Sequence, residues 1–346
     1  MDDILTYEDV LKETETQKRF LLTGNGFSMS YNKERFSFTS LLESAVDKGL
    51  IEESSSVYKI FQDFDTKDFE EVVKLLETSI KVLEQYSAIS PENKKKIIAD
   101  SKALKNHLVE IITNNHPEKI TEVTDDEYLC STDFINKYHK IYTLNYDLLL
   151  YWSTIKLMDF IEQGKLKKDN LKPTDGFHDD SEFSDFVVFG NDSSSQEIYY
   201  LHGALHIFDK KDKIIKNTFS RTSIALKEQT LQNLEQDIYP VFVSEGTSKQ
   251  KKAKIIHNAY LNHCYKSLGA IGSRNSSLVV FGTLLKTNDA HIREAILNNK
   301  VNTIYFGVGS EEEIQQLQEF KAELIESRRT KNVKFYDYRT VSVWGK

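Results

Sequence analysis

Cysteine is scarce: Cys130 and Cys264 stand far apart without a Cys-x-x-Cys pair, which excludes a disulfide framework and a cysteine-rich zinc site. Proline occurs four times and no tract is compositionally biased, so a Pro-rich linker or low-complexity arm is excluded and the chain reads as globular throughout. No apolar run approaches the length of a membrane span, and the opening Met-Asp-Asp-Ile-Leu-Thr is acidic where a secretory leader would be basic and then apolar. The expectation is a cytoplasmic protein with no membrane partner. Positive charge is in deficit, 45 Lys+Arg against 53 Asp+Glu for a net −8, and no basic stripe stands out, so direct nucleic-acid binding is not expected.

What is present is a βα rhythm. With 346 residues the chain can bury a substantial core, and it is read as a single domain over 1–346. Phe20-Leu-Leu-Thr23 is an apolar run that breaks into Gly24-Asn25-Gly26, a buried strand ending in a tight glycine loop. A helix is expected from Thr39 to Gly49. Over 54–139 the pattern is helical: Phe69, Val72, Val73, Leu76 and Ile80 recur at i, i+3, i+4, and Ser90-Pro91 reads as an N-cap followed by a first-turn proline. This is an α-helical insertion after the first βα unit.

Strands are then expected at 140–143, 186–189, 198–201, 204–208, 277–281, 301–306 and 332–336, with helices at 148–158, 258–270, 289–298 and after the acidic cap Ser310-Glu-Glu-Glu313. The region 164–195 reads as long loops around one short strand. Strands without polar alternation, separated by helices, imply an α/β, Rossmann-like fold: a mostly parallel sheet covered by helices on both faces. Such sheets bind ligands beyond the carboxyl ends of their strands.

The loops predicted at that edge carry unusual residues: Gly24, Asn25, Gly26 and Ser28; Thr143, Asn145 and Asp147; His202 and Gly203; Gly282, Thr283 and Asp289; Gly307 and Gly309. Glycine permits close approach to a phosphate, while Asn, Asp, Thr and Ser supply directed donors and acceptors, so the set points to a nucleotide cleft.

The ordered set Gly24-Asn25-Gly26-Phe27-Ser28, Thr143-Leu144-Asn145-Tyr146-Asp147, Leu201-His202-Gly203 and Gly282-Thr283 resembles the sirtuin superfamily. It is most similar to the bacterial sirtuin-like proteins of phage defence, whose Gly-x-x-x-Asp-x-His-Ile recurs as a stretched version at 281–292. The resemblance implies NAD as substrate and cleavage of the bond between nicotinamide and ribose. By position, Gly24, Gly26 and Ser28 would face the pyrophosphate, Asn145 and Asp147 would lie by the nicotinamide ribose and carboxamide, and Gly282 and Thr283 would meet the adenosine half; Asn145 and His202 would be catalytic, and Asn25, Phe27, Thr143 and Asp289 would belong to the NAD-binding set. It also implies a triggered, NAD-depleting antiviral effector that acts as a homo-oligomer, with an ATPase or sensor protein beside it. The four-cysteine zinc module of deacylating sirtuins is absent, which favours NAD hydrolysis over peptide deacylation.

Other readings of the same residues stay open. The protein could be an NAD- or ADP-ribose-sensing module without turnover, or an ADP-ribosyltransferase. Asn145 and Asp147 could cap the helix that follows them. His202 and His206, with Asp209 nearby, would make a metal pair only on a helix; Gly203 and the β character of 204–208 argue against one, and no metal is expected. The turn at 175–178 and the polar break at 244–246 have no assigned role.

Overall fold

The structure, a computed structural model, describes residues 4–36, 41–67, 69–114, 116–117, 119–180, 183–190, 195–210, 213–217, 226–236, 238–243, 247–327 and 329–345. The expected helix start at Thr39 and the break at 244–246 lie outside them, as do Ser193 and Ser194 of the loop before 195.

The chain begins with helix α1 (Tyr7–Glu13), fixed by a reciprocal Thr6/Asp9 capping box, and strand β1 (Lys18–Thr23). Short helices α2 (Gly26–Met29), α3 (Lys33–Phe36) and α4 (Leu41–Asp47) follow. Then come α5 (Ser56–Asp63), α6 (Phe69–Gln85), α7 (Pro91–Asn114) and α8 (Asp125–Asn136). Helix α7 starts where the sequence placed it, with Ser90 Oγ accepting the Asn93 N–H at 3.1 Å and Pro91 in the first turn.

Next are β2 (Lys140–Thr143), α9 (Leu149–Glu162), β3 (Phe177–Asp180), β4 (Phe183–Phe189), β5 (Ile198–Tyr200), β6 (Gly203–Lys210), β7 (Lys213–Asn217), α10 (Leu226–Glu235) and β8 (Tyr239–Phe242). The last third alternates regularly: α11 (Ser248–His257), α12 (Ala259–Ala270), β9 (Ser276–Phe281), α13 (Ala290–Asn298), β10 (Thr303–Val308), α14 (Glu311–Glu326) and β11 (Asn332–Asp337).

Six strands form one wholly parallel sheet in the order β11-β10-β9-β1-β2-β5. Every residue of β9 and β10 is buried whichever way the pleat points it, so both faces of the sheet are covered. This is the α/β, Rossmann-like architecture. The chain builds β2 and β5 on one side of β1, then returns to lay β9, β10 and β11 on the other, which makes the β1/β9 boundary the switch point where such sheets open a crevice.

One feature departs from the expectation for 164–195. Instead of loops around a single short strand, the chain builds a second, antiparallel sheet in the order β3-β4-β7-β6-β8, with its own small core of Phe208, Ile215 and Ile238. Strands such as Phe-His-Asp-Asp (β3) and Lys-Ile-Ile-Lys-Asn (β7) carry too little apolar alternation to be read from sequence; backbone pairing with their neighbours defines them. The two sheets meet at Leu201-His202-Gly203. Gly203 has φ +76°, and a Cβ there would lie 1.9 Å from the Val241 carbonyl oxygen, so β8 crosses directly over it. The Val243 N–H donates to the His202 carbonyl at 2.7 Å, fixing His202 at the rim of the parallel sheet.

Candidate active site at the carboxyl edge of the parallel sheet

A cavity of about 940 Å³ opens at the carboxyl ends of the parallel strands, and each strand sends a residue into its wall: Gly24 after β1, Leu144 after β2, His202 after β5, Gly282 after β9, Gly307 in β10 and Arg339 after β11.

The glycines at the switch point do something other than present free amides. Gly24 N–H donates to the Phe281 carbonyl at 3.0 Å and Gly26 N–H to the Gly282 carbonyl at 2.9 Å, so the two loops are hydrogen-bonded to each other. Gly282 has φ +71°, and a Cβ on it would sit 2.6 Å from Gly26 Cα. A Cβ on Gly24 would lie 2.5 Å from Thr283 Cβ. The glycines thus let adjacent loops touch backbone to backbone and leave a smooth cavity wall. Asn25, beside them, spends its Nδ2 on the Phe36 carbonyl at 2.6 Å.

Behind that wall lies a buried polar cluster. Asn145 Nδ2 donates to Ser28 Oγ at 2.8 Å, and Ser28 Oγ in turn donates to Asp147 Oδ2. Asp147 Oδ1 also accepts the N–H of Leu149, the first residue of α9, at 2.9 Å, so the carboxylate serves both the helix start and the cluster. Thr143 Oγ1 accepts the Asn145 N–H at 3.0 Å and sets the turn. Asn145 and Asp147 line the cavity, whereas Ser28 and Thr143 support them from behind. Phe27 is core: fully buried, edge-on to Trp344 at 5.3 Å, and accepting the Trp344 indole N–H at its carbonyl. Ser28→Ala would strip a partner from both Asn145 and Asp147. A loss of about 1–3 kcal/mol in urea unfolding is expected, with Ser28→Thr intermediate.

His202 also lines the cavity, with Nε2 3.1 Å from Nε2 of His291 on α13 and the two rings stacked. His291 is held in turn by Ser248 at the start of α11, whose Oγ accepts the His291 backbone N–H at 2.8 Å and lies 3.1 Å from Nδ1. Burial pushes His202 down to about 3 and His291 to about 4, so both rings are neutral at neutral pH. Asp289 faces them, ion-paired through Oδ1 to buried Lys251 at 3.0 Å.

His206 goes elsewhere, stacked on Tyr151 at 4.2 Å, so the pair at i+4 does not converge. His116, also in the cavity wall, donates from Nδ1 to the Pro117 carbonyl and accepts the Leu148 N–H at Nε2. Thr283 Oγ1 accepts the Leu285 N–H at 3.1 Å, and Lys33, Arg35 and Lys286 bring positive charge to the rim.

The fold brings Asn145, Asp147 and His202 to one edge of the sheet, together with His291, Ser248, Lys251 and His116, which the sequence did not single out. His291 falls within the 281–292 stretch, yet nothing local shows that it meets a ring 89 residues away.

Among protein families, the one described as a domain of unknown function, DUF4917, matches residues 21–344. The chain belongs to DUF4917. No curated protein matches it. Solved structures similar to this DUF4917 chain include a Sir2 homolog in complex with NAD, at 11% identity and TM-score 0.36, covering 98% of this chain and 91% of that one. Another is Sir2Tm bound to a propionylated peptide, at 11% identity and TM-score 0.32, covering 97% and 93%. Likenesses at that level have no bearing on this cavity's chemistry.

Proposed function

We propose that the cavity binds NAD and that the protein cleaves it to nicotinamide and ADP-ribose. One observation carries the reading: Asn145, Asp147 and His202, from the ordered motif set, line one cavity at the sheet edge where dinucleotides bind in such folds. The smooth Gly24/Gly26/Gly282 wall would take the pyrophosphate, with charge from Arg35 and Lys286. Nicotinamide leaves as a neutral base from a ribosyl carbon that becomes cationic, and water adds to that carbon and gives up a proton. Asn145, held rigid by Ser28, orients the amide or the water without adding charge. His202 has Nε2 engaged by His291, which leaves Nδ1 to hydrogen-bond a ribose hydroxyl or the attacking water.

With purified protein and NAD, release of nicotinamide and ADP-ribose is expected, falling about 10²–10⁴-fold in His202→Ala and comparably in Asn145→Ala. Unchanged product in both variants would sink the reading. The motif resemblance further supports a triggered antiviral effector, cytoplasmic and homo-oligomeric, with an ATPase or sensor partner.

A second reading, an NAD- or ADP-ribose-sensing module without turnover, is favoured by the engagement and deep burial of His202. Saturable NAD binding with no nicotinamide released over long incubation selects it.

A further inference from the structure

The geometry points to a divalent-metal site of the zinc class at His202, His291 and Asp289, on the cavity wall. Their ligand atoms lie within 4.8 Å of one another, and they come from two separate stretches of chain, the rim after β5 and the start of α13. The two imidazole Nε2 atoms face each other at 3.1 Å. Nitrogens bound to one tetrahedral zinc at about 2.0–2.1 Å stand roughly 3.3 Å apart, so the two rings already hold the edge of such a coordination shell. A short swing of the Asp289 carboxylate supplies the third ligand.

Two further observations fit a metal centre. A metal-ligating histidine has its other ring nitrogen tied by a hydrogen bond that fixes ring orientation. Ser248 Oγ lies 3.1 Å from His291 Nδ1, and the His291 backbone N–H is bound to the same oxygen, so ring and backbone are clamped together with Nε2 aimed at His202. The donor set, two imidazoles and one carboxylate, is also one that zinc takes when it keeps a position open. The cavity lies on that open side, since His202 and Asp289 both line it.

Lys251 shapes the preference further. Its ammonium takes Asp289 Oδ1, leaving Oδ2 for the ion. Lys251 and Asp289 cancel in charge, so a bound dication would carry its full positive charge into a largely buried place. An anionic oxygen in the open position, from hydroxide or a phosphate, offsets that charge, and the site should therefore hold zinc together with such a ligand. The inference does not rest on NAD being the substrate.

The test uses the full chain, stripped with chelator and titrated with Co²⁺ as the zinc stand-in. One equivalent should bind with the intense visible absorption of a four-coordinate ion, and Zn²⁺ should displace it. His291→Ala and Asp289→Asn should abolish the band, while His257→Ala, at an exposed histidine, should keep it. Ser248→Ala leaves all three ligands but frees the His291 ring and should weaken Co²⁺ binding about 10–100-fold. That variant decides the matter even if His291→Ala fails to fold. No band at stoichiometric Co²⁺, or an undiminished affinity in Ser248→Ala, overturns the proposal. These readouts involve no turnover, so loss of the NAD reading would leave them standing, and the reverse.

Discussion

Gly282→Ala is expected to lower stability by roughly 2–5 kcal/mol, combining the cost of a left-handed backbone on a residue with a Cβ and the overpacking that the Cβ causes. Gly282 has φ +71°, and the new methyl would meet Gly26 Cα at 2.6 Å, Gly26 N at 2.8 Å and Gly26 C at 2.9 Å, all of them backbone atoms. Neither loop can give way cheaply, because Gly24 and Gly26 are hydrogen-bonded across the same junction. Gly49→Ala is the control: its φ of +68° is similar, but nothing lies within 4 Å of the added methyl. It should cost only the conformational part, about 1–2 kcal/mol. The difference between the two in urea unfolding isolates loop-to-loop packing. Equal losses would show that the close approach of β1 and β9 loops carries no energy.

The second large effect is expected at Trp344. This ring is 1% exposed, donates from Nε1 to the Phe27 carbonyl at 2.8 Å, and meets Phe27 and Tyr31 edge-on, each at 5.3 Å. Through Phe27 it packs on α2, the helix that starts at the cavity-lining Gly26. Trp344→Ala should destabilise by about 3–5 kcal/mol through the cavity it leaves. Trp344→Phe keeps most of the packing, loses the indole hydrogen bond, and should cost about 1 kcal/mol beyond the volume lost. Calorimetric melting of both variants tests this; a Trp344→Ala shift no larger than that of Trp344→Phe would contradict it.

The parallel sheet was legible because its strands are short apolar runs ending in glycine or polar turns. Lys140–Thr143 and Asn332–Asp337 fall where the residues put them, and Ser310 caps α14 as its acidic first turn announces. The helices of 54–139 were legible through periodicity and the Ser90-Pro91 start. Features made by long-range meetings were not. The antiparallel sheet depends on backbone pairing among strands with weak patterns, such as Lys213–Asn217. Gly24 and Gly26 read as phosphate-facing amides, whereas their N–H groups are taken by the carbonyls of Phe281, which ends β9, and Gly282, which follows it, a partnership no local spacing encodes. The Ser248, His291 and His202 contacts join three elements, and only the fold brings them together.

The strand order carries a consequence for how the molecule is made. β1 is synthesised before both of its partners and lies inside the sheet, yet Phe20 waits for Lys140 on one side and Lys18 for Ser276 on the other. Until both arrive, the apolar ribbon Phe20-Leu-Leu has two open edges, a hazard for intermolecular pairing during translation. Folding is therefore non-local and slow to nucleate, and the nascent chain has more need of chaperone cover than its modest hydrophobicity would suggest.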